Sequence, residues 1–185
     1  LAPITPAILS ASVLVVHPSV PARSVKELIT LARKQPNALA YGTSGTGGAG
    51  HLAGALFRSM TKTQLLHVPY KGGAPAMIDL VAGQVQFMFA TAASVIPHVK
   101  SNRLRALAVT SLKRSPSLPE LPTVADTLPG YEITQSWGIV APAGTPVEIV
   151  KRLGDEFVKA LANADVRDKI LKTGAVPASN DSPAA

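Results

Sequence analysis

Apolar residues along this chain recur with two periods, and the periods alternate. Residues 12–17 (SVLVVH) form a continuous β-branched run closed by Pro18, the pattern of a buried strand. Over residues 24–33 the apolar positions become Val25, Leu28, Ile29 and Ala32, the i, i+3, i+4, i+7 spacing of a helix with one buried face. Ser24 with Glu27 three residues on predicts a capping box, and Pro36-Asn37 a stop. Residues 39–42 then read as a short strand. A helix follows over 50–60, with Leu52, Ala55, Leu56 and Ser59 on one face. Further on come a strand at 65–68, a helix at 75–81 opened by Pro75, and strands at 85–89 (VQFMF) and 104–109 (LRALAV). Strands separated by helices predict an α/β fold of right-handed βαβ units, with a mostly parallel sheet and flanking helices.

The pattern changes at residue 112. Residues 114–129 hold Pro116, Pro119, Pro122 and Pro129 without a period, so 112–132 read as a proline-rich connector. A strand at 133–140 is centred on Trp137, the sole tryptophan. Thr145 with Pro146 and Glu148 predicts a capped helix to Ala162, and a second helix runs from Asp165 to Gly174. Residues 1–12 and 179–185 show neither period and read as tails.

Composition narrows the function classes. Hydrophobic residues are 46% of the chain, enough for a core, and no apolar run reaches the length of a membrane-spanning helix. There is no cysteine, which excludes disulfides, thiolate metal sites and cysteine nucleophiles. His17, His67 and His98 are isolated and lack metal-ligand spacing. The formal charge is +7, yet the cations are scattered and aromatics are 4%, which argues against a nucleic-acid surface. Asp79 reads as a solvated helix residue, Trp137 as a core or domain contact. No carboxylate pair suggests acid–base catalysis.

The chemistry concentrates in two glycine turns. Tyr41–His51 (YGTSGTGGAGH) follows a strand and opens a helix, with five glycines between positions 42 and 50. Gly45, Gly47 and Gly50 match the dinucleotide fingerprint G-x-G-x-x-G. That reading needs an acid about 20 residues later for the ribose. No Asp or Glu lies between Glu27 and Asp79, which argues against NAD and leaves a nucleotide- or NADP-binding enzyme domain using the Gly45-x-Gly47-x-x-Gly50 turn, with NADP held through Lys71, as the alternative. The phosphate-binding P-loop and the nucleophile elbow also fail, because Gly-Lys-Ser/Thr and G-x-S-x-G are absent. What remains is an anion site: glycines let backbone N–H groups converge, and a helix N-terminus favours negative charge. Ser44 and Thr46 add hydroxyls, and His51 stands in the first helical turn. Lys71-Gly72-Gly73-Ala74-Pro75 forms a second such turn, and parallel topology would bring both to one crevice.

The blocks YGTSGTGGAGHLAGALF, HVPYKGGAPAMIDLVAGQVQFMF, PHVKSNRLRALAVTSLKRSPSLPELPTVADTLPGYE and WGIVAPAGTP resemble the Bug (TctC-type) extracytoplasmic solute-binding proteins of tripartite tricarboxylate transporters. The resemblance runs from Leu14 to about Val176. It implies a two-lobed type II periplasmic-binding-protein clamshell that closes on a small carboxylate and delivers it to membrane permease subunits. It implies a periplasmic location, with a signal peptide outside this chain, and neither enzymatic activity, cofactor nor metal. Carried onto this sequence, the ligand contacts are Ser44, Gly45, Thr46, Gly47, Gly48 and His51 from the first turn. The second turn adds Tyr70, Lys71, Gly72, Gly73 and Pro75. In the family Asp commonly follows VQFMF; Ala90 stands there, then Thr91, so a contact changes at these positions. The family also begins earlier and carries a further helix. The resemblance therefore implies one complete lobe (13–111) and a return segment of the other (133–178), with exposed apolar surface that favours a dimer.

Overall fold

One strand organises the fold. In the computed structural model, which describes residues 1–178, β1 (Ala2–Val16) is 15 residues long and changes partners midway. Its first half pairs antiparallel with β6 (Thr134–Ala141) and β7 (Ala175–Pro177). Its second half pairs antiparallel with β4 (Phe87–Thr91) and β5 (Arg105–Val109). Residues 1–12 are thus mostly strand, where a tail was expected. Pro3 and Pro6 interrupt the sequence alternation, and register shifts between Pro3 and Thr5 and between Pro6 and Ile8 accommodate them. The expected tail 179–185 lies outside the described residues.

β2 (Ala40–Thr43) lies parallel to both β3 (Leu66–Pro69) and β4, giving the order β3-β2-β4-β1-β5, with β6 and β7 added on β1. The sheet is therefore mixed; the expectation of a mostly parallel sheet holds only for β2, β3 and β4. Periodicity reports which faces of a strand are buried, not its direction, and β1 runs against its neighbours.

Alternation along the strands separates two core layers. Leu14, Val16, Phe87 and Phe89 face α1 (Val25–Lys34) and α2 (Ala49–Thr61). Val13, Val15 and Met88 face α3 (Gly73–Val81) and α4 (Ala92–Lys100). Chain direction explains the split. The step from β2 to β3 moves one way across the sheet, and the step to β4 moves back past β2. Right-handed crossovers then put α2 and α3 on opposite faces. β2 and β4, where the direction reverses, form the switch point at which such sheets bind ligands.

Several helix starts differ from expectation. Ser24 Oγ accepts from Glu27 N–H at 3.2 Å, but the Glu27 carboxylate accepts from Arg23 N–H (2.6 Å), one residue ahead of the box geometry. Thr145 caps nothing: its hydroxyl donates to Pro142 O (2.9 Å), and α5 (Val147–Ala162) begins behind Pro146. Asn163 caps α6 (Ala164–Lys172), accepting from Asp165 and Val166 N–H. Helix α4 escaped the periodicity reading because Pro97 stands inside it. The connector ends on buried Tyr131, whose hydroxyl donates to Ala53 O (2.9 Å) and whose ring packs on Phe57 and Phe89.

Where β1 changes partners, its backbone is tied to the strands on either side. Ser12 N–H donates to Thr110 Oγ1 (2.8 Å), and the Thr110 hydroxyl donates to Ile133 O (2.6 Å). Thr110 N–H returns a bond to Ser12 O, and Ile133 N–H one to Thr110 O. Thr110→Val keeps the shape but leaves a buried N–H and a carbonyl without these partners. The expected loss is about 1–3 kcal/mol, read as a lower urea midpoint at constant slope; an unchanged midpoint would show that the knot contributes nothing.

Candidate functional site

The carboxyl ends of β2, β3 and β4 open into a cleft of about 570 Å³, within the ordinary range for small-ligand sites. Two hydrogen bonds join the glycine turns at its edge: Tyr70 N–H to Thr43 O (3.0 Å) and Gly72 N–H to Ser44 O (3.1 Å). The convergence expected from parallel topology is thereby built into the backbone. Gly45, Gly47 and Gly72 have φ of 138°, 85° and 117°, a region that side chains disfavour. Gly50 serves close approach instead, since a Cβ there would lie 2.8 Å from Phe89 O.

Three helices point their N-termini at this cleft. Ala49 and Gly50 of α2, Gly73 and Ala74 of α3, and Thr91 and Ser94 at the start of α4 all line it. None of the three has a side-chain cap or an acidic residue in its first turn. By contrast, α1 and α6 are capped by Ser24 and Asn163, and α1, α5 and α6 carry Glu27, Glu148 and Asp165 in their first turns. Uncapped N–H groups and aligned dipoles make such ends attractive to anions. No Asp, Glu, Lys or Arg lines the cleft among the described residues.

The structure divides the expected contacts. Ser44, Gly73, Ala90 and Thr91 line the cavity directly. Gly45, Gly47, Gly48 and Gly72 shape the turns behind it, with Gly48 and Gly72 as the N-caps of α2 and α3. Thr46, Lys71 and Pro75 are exposed and do not line it. Tyr70 turns away, donating to Asp79 Oδ2 (2.7 Å); burial and then the Asp79 carboxylate push its hydroxyl pKa up to about 12. Asp79, expected as solvated, is that acceptor. His51 also turns inward: its Nδ1 accepts Gly47 N–H (3.1 Å), so the ring braces the turn.

Other lining residues were not anticipated. Trp137 and Gln135 of β6 form one wall, and Gln135 Nε2 donates to Ser12 Oγ (3.2 Å). Trp137 is 53% exposed there, which rules out the core position that was one of its two expected roles. His98 lies farther along α4. Recognising α4 would have exposed the Thr91, Ser94, His98 spacing as one helical face.

The family-model comparison matches residues 1–184 to the tripartite tricarboxylate transporter family receptor. The chain belongs to this family. Its members are solute-binding receptors of the periplasm, not enzymes, which removes the nucleotide- or NADP-binding enzyme alternative. A protein described as "UPF0065 protein in tcbD-tcbE intergenic region", from Pseudomonas sp. (strain P51), is 42% identical over 91% of this chain and 52% of its own. An R. palustris protein solved with adipate superposes with a TM-score of 0.90 at 39% identity, over 95% of this chain and 59% of that one. MatC from Rhodopseudomonas palustris, solved with bound malate, gives 0.87 at 26% identity, over 99% and 63%. The chain spans about half the length of the curated relatives it matches.

Behind the glycine turn the rings of Phe87, Tyr41, His67 and His51 stack in a column, with centroids 5.5, 5.0 and 4.4 Å apart in turn. Thr43 Oγ1 holds His67 Nε2 at 2.7 Å. Burial lowers the His67 pKa below its ordinary value, and His51 and Arg58 lower it further. The unfolded chain therefore binds this proton more readily than the folded one. The His67 contribution to stability is present above about pH 6.5 and is lost as pH falls through the lower folded value. His67→Gln is expected to shrink the fall in Tm between pH 7.5 and pH 5; an equal fall in both proteins would contradict this.

Proposed function

We propose that this chain forms the ligand-capturing part of a periplasmic receptor that takes up a small carboxylate, of the di- or tricarboxylate, amino-acid or aromatic-acid type. The observation that carries the reading is the convergence of three uncapped, acid-free helix N-termini on one cleft. A carboxylate oxygen accepts several backbone N–H bonds at once, and charge-assisted bonds are the stronger kind. The adipate and malate held by similar proteins support the same ligand class.

In this reading residues 13–111 are one lobe of a clamshell, and 133–178 return to the other along the first half of β1. β1 and the link from β5 to β6 are the strands between lobes, so closure bends the backbone near Ser12 and Ile133. Gln135, bonded to Ser12 and facing the cleft, ties ligand contact to that crossing. The closed receptor presents its cargo to membrane permease subunits of a tripartite transporter.

Dicarboxylates at a hundred times Kd stabilise a one-site receptor by about 2.7 kcal/mol, or about 5–10 °C in Tm for a chain of this size. That shift is expected in a thermal scan of the full chain against a panel of di- and tricarboxylates, amino acids and aromatic acids, with none from NADP(H). A shift with NADP(H) and none across the panel would overturn the proposal.

A further inference from the structure

Two histidines stand behind the first glycine turn, and each is tied to it. His51 of α2 accepts Gly47 N–H at Nδ1 (3.1 Å), so that nitrogen carries no proton. His67 of β3 holds Thr43 Oγ1 at Nε2 (2.7 Å), and Thr43 Oγ1 accepts Gly45 N–H (3.4 Å). The two imidazoles stack with their centroids 4.4 Å apart. Gly45 and Gly47 are the positions whose positive φ turns the chain. The residues on either side of them, Ser44 before and Ala49 with Gly50 after, line the cleft. The N-cap Gly48 has no side chain to hold this helix start, and His51 is the one polar side chain in the first turn of α2. The aim of Ser44 and of the α2 N–H groups therefore depends on the bond from Gly47 to His51.

Protonation reverses the role of that nitrogen. A charged imidazole donates at both nitrogens, so Nδ1 would meet Gly47 N–H donor to donor. The surroundings offer the charge no partner. His67 lies against the His51 ring, Tyr41 of β2 continues the stack, and Arg58 of α2 is near enough to act on His67; no carboxylate acts on His67 among the described residues. Two stacked imidazoles that are both charged repel each other. We infer that His51 is a positioning residue that makes carboxylate capture depend on pH: neutral, it holds the turn in its binding form, and protonated, it releases Gly47. This rests on the carboxylate reading above and adds its regulation. The ligand-bound turn requires Nδ1 bare, so the bound protein holds fewer protons than the free one, and affinity falls as pH falls through the imidazole range. A bound carboxylate also attracts a His51 cation through space, which acts in the opposite sense. That attraction crosses an open cleft and is screened, whereas the Gly47 bond is lost at contact distance.

The test is calorimetric titration of the full chain with adipate at about pH 7.5 and about pH 5.5, for the wild type, His51→Asn and His51→Leu. Asn keeps an acceptor near the Nδ1 position and takes up no proton; Leu has no acceptor. Ionisation of adipate is common to the three proteins and cancels when their affinity ratios between the two pH values are compared. The wild-type affinity is expected to fall by up to about 10-fold more than that of His51→Asn, the most one proton-linked imidazole gives one unit below the ordinary histidine value. His51→Asn is expected to bind more tightly than His51→Leu at both pH values. An equal fall in wild type and His51→Asn, or a wild-type affinity that rises relative to it on acidification, would overturn the role of His51 and leave the anion site standing. No adipate binding by the wild type at the higher pH would overturn both. If the variants do not fold, amide spectra of the ligand-free wild type decide: the Gly47 amide must move across this pH range, and one that stays in place overturns the inference.

Discussion

The bonds around Thr110 fix the geometry on which everything else rests. A 15-residue strand serving two groups of partners needs a point where one group ends and the other begins. At that point backbone N–H and C=O groups leave the regular ladder and must be satisfied locally. Thr110 meets this need with one hydroxyl, accepting from Ser12 and donating to Ile133. The residue is fully buried, so water is no substitute. β1, β5 and the start of β6 are held in one arrangement there. Gln135, two residues past Ile133, extends it to the cleft wall through Ser12 Oγ.

The cleft works by withholding interactions the rest of the fold supplies. Away from it, helix starts receive a side-chain cap, a first-turn acid or both. At α2, α3 and α4 the N-cap positions are Gly48, Gly72 and Thr91, and the one hydroxyl among them bonds to Ser94 rather than to its own helix N–H groups. A glycine in place of a capping side chain costs only about a few tenths of a kcal/mol, so leaving these starts uncapped is a small sacrifice even in a fold of marginal net stability. The glycines serve the same end. Gly50 lets the first turn of α2 approach β4, and the left-handed region taken by Gly45, Gly47 and Gly72 lets the two turns double back behind the cleft. His51 and Tyr70 then lock the turns from behind, which keeps the donors aimed at the cleft without side chains inside it.

Much of this was legible in the residues. The two glycine turns, their strands and their helices follow from periodicity and from the absence of an acid between Glu27 and Asp79. Proline explains much of what did not. Pro3 and Pro6 break the alternation of β1 yet are tolerated at register shifts, and Pro97 interrupts the helical pattern of α4 without ending the helix. Losing α4 hid one of the three helix starts at the cleft and the face bearing His98. Thr145 illustrates the converse: α5 begins one residue later than expected, behind Pro146, so a residue of the right type stands outside the cap position and donates to Pro142 O instead of accepting from a helix N–H. Side-chain direction decided the rest. Tyr70 and His51 lie in the expected turns but bond backward, whereas Trp137 and Gln135, distant in sequence, arrive through the pairing of β6 with β1.

The central claim is that backbone N–H groups of three helix starts hold the carboxylate. Amide ¹H–¹⁵N spectra of the full chain, recorded as adipate is added, address it directly. The amides of Ala49, Gly50, Gly73, Ala74 and Ala92 are expected to shift together and saturate at one Kd, while those in the first turns of the capped helices α1 and α6 stay in place. Saturable binding that leaves these five amides unmoved would contradict the account.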